Sequence, residues 1–252
     1  MAGHSKWHNI KHKKAAQDAK MGKIFTKHAK LIQIAASQGG GDPTMNPALR
    51  AAVENAKADN VPTANIERAI KKGTGEGKDA SQISEVLYEA FGPSGTAFYI
   101  ETLTDNKNRT ITNVKIILNK KGGTFGAAGS VGYLFNKKGI IEIPISEQNE
   151  KEELELAAID AGAEDVETTE EFMVVYTDPQ DLMKVKDQLM RRSIQVKSAE
   201  LSYMPVNYVE IKNAEDAQKV INLIESLEED EDVSTVYTNA NIDYDILKQL
   251  NN

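Results

Sequence analysis

The segment GTGEGKDAS, residues 73–81, divides the chain into two parts whose apolar residues repeat differently. Before it, apolar residues recur at helical spacing, and the pair Asn46-Pro47 and Gly73 mark where helices begin and end. After it, short apolar runs typical of strands alternate with helical segments. This change of period predicts a small helical domain followed by α+β structure.

The second part predicts two α+β domains, and residues 133–203 follow the order β-α-β-α-β, close to a ferredoxin-like arrangement. The residues on either side of that segment supply strands and helices that we expect to combine into one middle domain. The predicted fold is therefore multidomain α+β, with a helical domain over 1–75, a middle domain over 80–132 and 204–252, and a third domain over 133–203 inserted into the middle one. The alternative is two consecutive domains with a boundary near residue 145.

Charge is distributed unevenly along the chain, although the net value is only −8. Residues 1–72 carry a net charge of +8, residues 73–140 carry +2, and residues 141–252 carry −18. A basic segment of this density favours a polyanionic partner, which means nucleic acid, over the alternative that the charges serve only solubility.

Composition excludes several classes of function. The chain has no Cys, so disulfides, thiolate metal sites and Cys nucleophiles are ruled out. All four His lie within residues 4–28, which leaves the rest of the chain without a His for acid–base catalysis. No apolar run is long enough for a membrane span, and the basic start lacks the apolar stretch of a signal peptide. We therefore expect a cytoplasmic protein that is not an enzyme, uses no cofactor or metal, and contacts no membrane.

The strongest candidate site is the basic N-terminal segment, residues 1–30, which contains eight Lys. Lys attracts phosphate whatever the base sequence. Trp7, the single Trp of the chain, could stack on a base or anchor the segment against its own domain, and both interpretations stay open. The predicted nucleic-acid-binding residues are Lys6, Trp7, Lys11, His12, Lys13, Lys14, Lys20, Lys23, Lys27 and Lys30.

The start of the chain also suggests a metal chelate. Removal of Met1 would leave Ala2-Gly3-His4, whose amine, two backbone amides and imidazole suit square-planar Cu(II) or Ni(II). We expect such binding only in vitro, so no metal is included among the functional ligands.

Two further segments are predicted to contact phosphate. In LTDNKNRT, Thr104 or Asp105 is expected to cap a helix whose first turn is basic, and an anion bound there would offset the unfavourable charge. In KKGGTFGAAGSVGYLF, flanked by lysines, glycines would allow close approach of the backbone to a ligand. The alternatives are an exposed turn and an interdomain hinge. The candidate residues are Lys107, Arg109, Lys120, Lys121, Gly126 and Gly129.

The chain resembles the YebC/PmpR family in four stretches, AGHSKWHNIKHKKAAQDAKMGKIFTK, NPALRAAVENAKADNVPTANIERAIKKGTG, LTDNKNRT and GGTFGAAGSVGYLF. The resemblance implies three domains, the first helical and the others α+β, without established catalysis. Members of that family are described as cytoplasmic DNA-binding transcriptional regulators, or as ribosome-associated factors that help translate consecutive prolines. The family includes a mitochondrial translational activator of cytochrome c oxidase.

The basic N-terminal segment has no Arg, and Lys lacks the forked guanidinium that reads guanine. This composition favours attraction to phosphate over base reading, so DNA and ribosomal RNA are both possible partners. The predicted function is a nucleic-acid-binding regulator of gene expression, first as a DNA-binding transcriptional regulator. The alternatives are a ribosome-associated translation factor that binds ribosomal RNA, and a protein-interaction scaffold. The sequence does not predict an oligomeric state.

Overall fold

Helices form the first part of the protein. The computed structural model describes residues 17–76, 83–145, 151–169 and 171–250, except for the side chains of 17–20 and Tyr244. The first elements are α1 Gln17–Gly39, α2 Pro47–Ala58 and α3 Thr63–Gly73. Apolar side chains at helical spacing turn inward from all three and form one core, which includes Ile32, Leu49, Val53, Ala56, Ile66 and Ala69.

The remaining part alternates strands and helices. In chain order the elements are β1 Ser84–Phe91, β2 Ala97–Thr104, α4 Lys107–Lys120, β3 Thr124–Phe125, β4 Phe135–Pro144, α5 Lys151–Asp160, β5 Asp165–Thr168, β6 Phe172–Thr177, α6 Leu182–Arg191, β7 Ser198–Pro205, β8 Val209–Ile211, α7 Ala214–Glu228, β9 Val233–Thr238, β10 Ala240–Ile242 and α8 Tyr244–Leu250. Short 3₁₀ turns occupy Pro93–Gly95 and Gly132–Leu134.

One four-stranded sheet has the order β5-β6-β4-β7. Its elements follow one another as β-α-β-β-α-β, which is the ferredoxin-like arrangement. Strand β5 was not expected from the predicted order β-α-β-α-β, and β4 begins at Phe135, directly after the 3₁₀ turn Gly132–Leu134. Buried side chains from the strands and from α5 and α6 form the core beneath this sheet, among them Ile141, Leu154, Met173, Val185 and Leu189.

The other four-stranded sheet has the order β3-β1-β2-β9, and its strand pairs are antiparallel. Residues alternate between its two faces. On one face, Phe98 and Ile100 are fully buried, as are Val114 and Leu118 of α4. On the opposite face, Tyr99 lies across from Tyr237, and the aromatic ring of Phe135 packs beside them. Strands β8 and β10 form a separate parallel pair.

The chain groups into two compact units, Met1–Ala80 with Lys137–Ser202, and Ser81–Asn136 with Tyr203–Asn252. The predicted class is confirmed, because the protein combines a helical N-terminal region with antiparallel sheets and helices in a multidomain α+β arrangement. The residue boundaries proposed above for three domains stay a prediction.

Candidate nucleic-acid interface

Asn46 links the end of α1 to the start of α2 in the helical domain. Its side-chain oxygen accepts a hydrogen bond from the backbone N–H of Leu49 at 3.1 Å and so caps α2. Its amide nitrogen donates to the carbonyl oxygens of Ala35 at 2.8 Å and Gly40 at 2.9 Å, at the end of α1. Asn46 is 5% exposed, so these three bonds replace water at a buried junction.

We expect Asn46→Ala to lower the free energy of unfolding by about 2–3 kcal/mol, because it removes a helix cap and leaves two carbonyls without their donor. Asn46→Asp keeps the acceptor for Leu49 but turns a carboxylate oxygen toward the carbonyl oxygens of Ala35 and Gly40 at a buried position, so it should destabilise the protein at least as much. Urea unfolding of the full chain, followed by circular dichroism, measures both. Equal stability of the two variants and the wild type would contradict the assigned role.

The described part of the predicted lysine cluster lies on one face of α1. Lys23, Lys27 and Lys30 are spaced four and three residues apart, so they follow a single stripe along the helix, and each is partly buried. Lys20 belongs to the same helix. The remaining predicted contacts, Lys6, Trp7, Lys11, His12, Lys13 and Lys14, lie outside the described residues, as does the Ala2-Gly3-His4 start.

The structure adds cations that the sequence interpretation did not select. The outer surface of α3 exposes Arg68, Lys71 and Lys72, while Ile66 and Ala69 of the same helix are buried. Helical periodicity around the two apolar residues could have identified them. The basic residues of the last turn also interact favourably with the helix dipole.

Helix α2 contacts the ferredoxin-like domain, which belongs to the same compact unit. Glu54 forms an ion pair with Lys186, whose side chain is 8% exposed. The side chain of Asn55 donates to the carbonyl oxygen of Ala199 at 2.8 Å, on the edge strand β7. Since this part of α2 is occupied by protein contacts, we expect α1 and α3 to provide the surface for a polyanion.

The basic turn at the start of α4 has counter-charges of its own. Asn106, and neither of the two residues expected, caps the helix by accepting from the backbone N–H of Arg109 at 3.1 Å. The Arg109 guanidinium donates to Asp232 at 2.7 Å and to Asp105 at 2.9 Å. The charge of Arg109 is therefore balanced by two carboxylates of the protein, and phosphate contact by Lys107 and Arg109 stays a prediction.

The glycine-rich loop, residues 126–132, holds an anion that belongs to the protein itself. The carboxylate of Glu89 accepts from the backbone N–H of Gly129 at 2.6 Å, of Val131 at 2.6 Å and of Gly132 at 2.7 Å. Consecutive backbone N–H groups of this kind form an anion-binding concavity. Burial raises the pKa of Glu89, but the backbone hydrogen bonds outweigh it and bring the pKa below the ordinary value.

At two positions of this loop the local geometry requires glycine. Gly129 has φ +84°, a conformation that side chains rarely adopt, and a Cβ at Gly126 would lie 2.3 Å from the Ser130 hydroxyl. Lys120 and Lys121, at the end of α4, are exposed. Phosphate contact by these four residues stays a prediction, and the backbone N–H groups of Gly129, Val131 and Gly132 already donate to Glu89.

Neither a metal cluster nor a membrane helix is found in the part of the chain that the structure describes. There, no group of three or more His, Asp or Glu is placed to hold a metal ion. Within the same residues, no helix combines the length and the apolar composition needed to cross a membrane.

The fold and the basic surface define a class, a multidomain α+β protein with a basic helical N-terminal domain. The family model for the TACO1/YebC protein N-terminal domain matches residues 5–76, and the model for the TACO1/YebC second and third domain matches residues 83–240. The chain belongs to the TACO1/YebC family.

Relatives match almost end to end. A protein of Persephonella marina is 48% identical over 251 residues, 99% of this chain and 100% of its own length, and one of Treponema denticola is 50% identical over 242 residues, 96% and 97%. Both are named "Probable transcriptional regulatory protein". The crystal structure of a conserved hypothetical protein from Aquifex aeolicus matches with a TM-score of 0.86 and 44% identity, over 93% of this chain and 96% of that one.

Proposed function

We propose that this protein is a nucleic-acid-binding regulator of gene expression that acts in the cytoplasm by binding rather than by catalysis. The observation that carries the proposal is charge: residues 1–72 have a net charge of +8 in a chain whose residues 141–252 carry −18. Exposed cations on α3 and the lysine stripe of α1 belong to that basic part. The names of the relatives support a role in transcription, so DNA is the first partner to test.

Ribosomal RNA is the second candidate partner, favoured by the composition of the basic N-terminal segment. Its cations are all Lys, which attract phosphate without reading bases, and structured RNA offers dense phosphate to such a surface. In this form the protein would be a ribosome-associated translation factor that relieves stalling at proline-rich stretches.

Substitution of Lys11, Lys13 and Lys14 by Ala should weaken binding to a DNA duplex by about tenfold or more at low salt. It should also reduce the slope of log affinity against log salt by about 2.7, because three phosphate contacts no longer release counterions. Fluorescence anisotropy over a series of salt concentrations measures both quantities.

The matched control replaces Lys151, Lys184 and Lys212 by Ala, which removes the same charge from exposed positions in the acidic part. An equal loss of affinity in both triple variants would show that net charge alone acts, and would overturn the assignment to the N-terminal segment.

Three assays separate the two partners. A DNA-binding regulator should prefer promoter fragments over random duplex at physiological salt, whereas a translation factor should co-sediment with ribosomes and lose this property in the Lys11, Lys13 and Lys14 variant. If the protein is a translation factor, ribosome profiling should show more pausing at proline runs when the gene is absent than when it is present. If it is a DNA-binding regulator, the two profiles should not differ at proline runs. A protein that neither prefers promoter DNA nor co-sediments with ribosomes would fit the third alternative, a protein-interaction scaffold.

A further inference from the structure

Tyr133 is the most exposed aromatic side chain among the described residues, with 73% of its surface accessible. It lies in the 3₁₀ turn Gly132–Leu134, directly after the loop that binds Glu89. Tyrosine rings of a folded protein are usually at least half covered, because their area favours burial. The position of this ring therefore requires an explanation outside the protein's own core.

The backbone on both sides of Tyr133 is held firmly. Before it, Val131 is fully buried and its N–H, like that of Gly132, donates to Glu89. After it, Leu134 donates to the Val131 carbonyl at 2.8 Å, and Phe135 is 6% exposed. The Phe135 ring stacks on Tyr99 with centroids 5.6 Å apart. The backbone of Tyr133 is thus held in place by the buried residues Val131 and Phe135 on either side, while its ring is exposed.

The surroundings suit a strand of nucleic acid. Phe91, two residues beyond Glu89 and hence on the same face of the sheet, is 43% exposed. Thr124 pairs with Phe91, and Lys121 precedes Thr124 by three residues, so the lysine backbone lies within about 11 Å of Thr124. Exposed rings beside exposed cations are the arrangement by which proteins bind single strands, with bases on the rings and phosphates on the cations.

We infer that Tyr133 is a base-stacking residue, and that it receives an unpaired base of single-stranded RNA or DNA. The inference rests on the proposed function, since it places a second nucleic-acid contact outside the helical domain. Because Glu89 closes the loop before any ligand arrives, little ordering of the backbone is needed on binding.

The test uses the full chain and three probes: a fluorescent U12 oligonucleotide, the corresponding dT12, and inorganic polyphosphate, which has charge but no bases. Tyr133→Ala and Tyr133→Leu should each weaken binding of the oligonucleotides by about tenfold, because stacking on a base is lost. Binding of polyphosphate should be unchanged. Tyr133→Phe, which keeps the ring, should bind within twofold of the wild type. A difference between U12 and dT12 identifies RNA or DNA as the preferred strand.

Two controls distinguish a loss of base stacking from a loss of folding and from a loss of non-specific apolar contact. The exposed position of Tyr133 predicts unchanged thermal unfolding for all of its variants. Leu156→Ala removes another exposed apolar side chain (63% accessible) and should leave oligonucleotide binding unchanged. Oligonucleotide affinity of Tyr133→Leu equal to that of the wild type would overturn the inference while leaving the proposed function intact. A wild type that binds neither the oligonucleotides nor polyphosphate would contradict both.

Discussion

Glu89→Gln is expected to lower the free energy of unfolding by about 3 kcal/mol. The carboxylate accepts three short hydrogen bonds from Gly129, Val131 and Gly132, and bonds to a charged acceptor contribute about 1.5–3 kcal/mol each when buried. Partial exposure of Glu89 reduces the sum. Glutamine keeps only one oxygen and turns N–H donors toward other N–H donors. Urea unfolding at pH 7 measures the change, and Glu85→Gln, an exposed position on the same strand, is the matched control.

The same substitution predicts a pH dependence. Since hydrogen bonding lowers the pKa of Glu89 in the folded state, its stabilisation is fully present above the pKa of an unfolded glutamate and is lost as the pH falls through the lower folded value. The stability difference between wild type and Glu89→Gln should therefore be largest at neutral pH and shrink below about pH 4. A difference that stays constant from pH 7 to pH 3 would mean that the charge of Glu89 does not hold the loop.

The fold class could be predicted because long elements carry strong patterns. In β1 the run SEVLYEAF is rich in apolar and aromatic residues, and in α4 the apolar residues Val114, Ile117 and Leu118 recur at helical spacing. The missed elements are short: β5 Asp165–Thr168 contains one strongly apolar residue, Val166, so it shows no alternation. In β4, the polar stretch Asn136–Lys138 interrupts the apolar run, although the strand continues through it.

The contacts of the candidate site depend on residues far apart in the chain. The loop was predicted from its glycines and flanking lysines to contact phosphate, which stays a prediction, whereas the anion it holds is the carboxylate of Glu89, some 40 residues earlier. Nothing in the strand SEVLYEAF distinguishes Glu89 from Glu85, since both alternate with apolar residues. Likewise, the local sequence shows no counter-charge that would bury with Arg109, because its partner Asp232 is 123 residues away. Local sequence shows which charges exist, whereas tertiary structure decides which are already paired.

Asp232→Ala is the second substitution for which we expect a loss of about 3 kcal/mol in the free energy of unfolding. The Asp232 side chain is 6% exposed and accepts from Arg109 at 2.7 Å and from the hydroxyl of Thr110 at 2.8 Å. Removing it leaves the fully buried hydroxyl with fewer partners and the guanidinium without its closer carboxylate. The half-exposed position of Arg109 keeps the effect below that of a fully buried pair.

Asp105→Ala is the matched control, because Asp105 binds the same guanidinium from an exposed position and should change stability by no more than about 0.5 kcal/mol. Equal effects of the two Asp substitutions would contradict the role of the buried carboxylate. The same series tests Arg109 as a phosphate contact. If its charge serves the fold, Arg109→Ala lowers stability and leaves oligonucleotide affinity unchanged. If Arg109 reaches phosphate, its removal weakens binding and lowers the salt dependence by about one contact, and Asp232→Ala strengthens binding by freeing the cation.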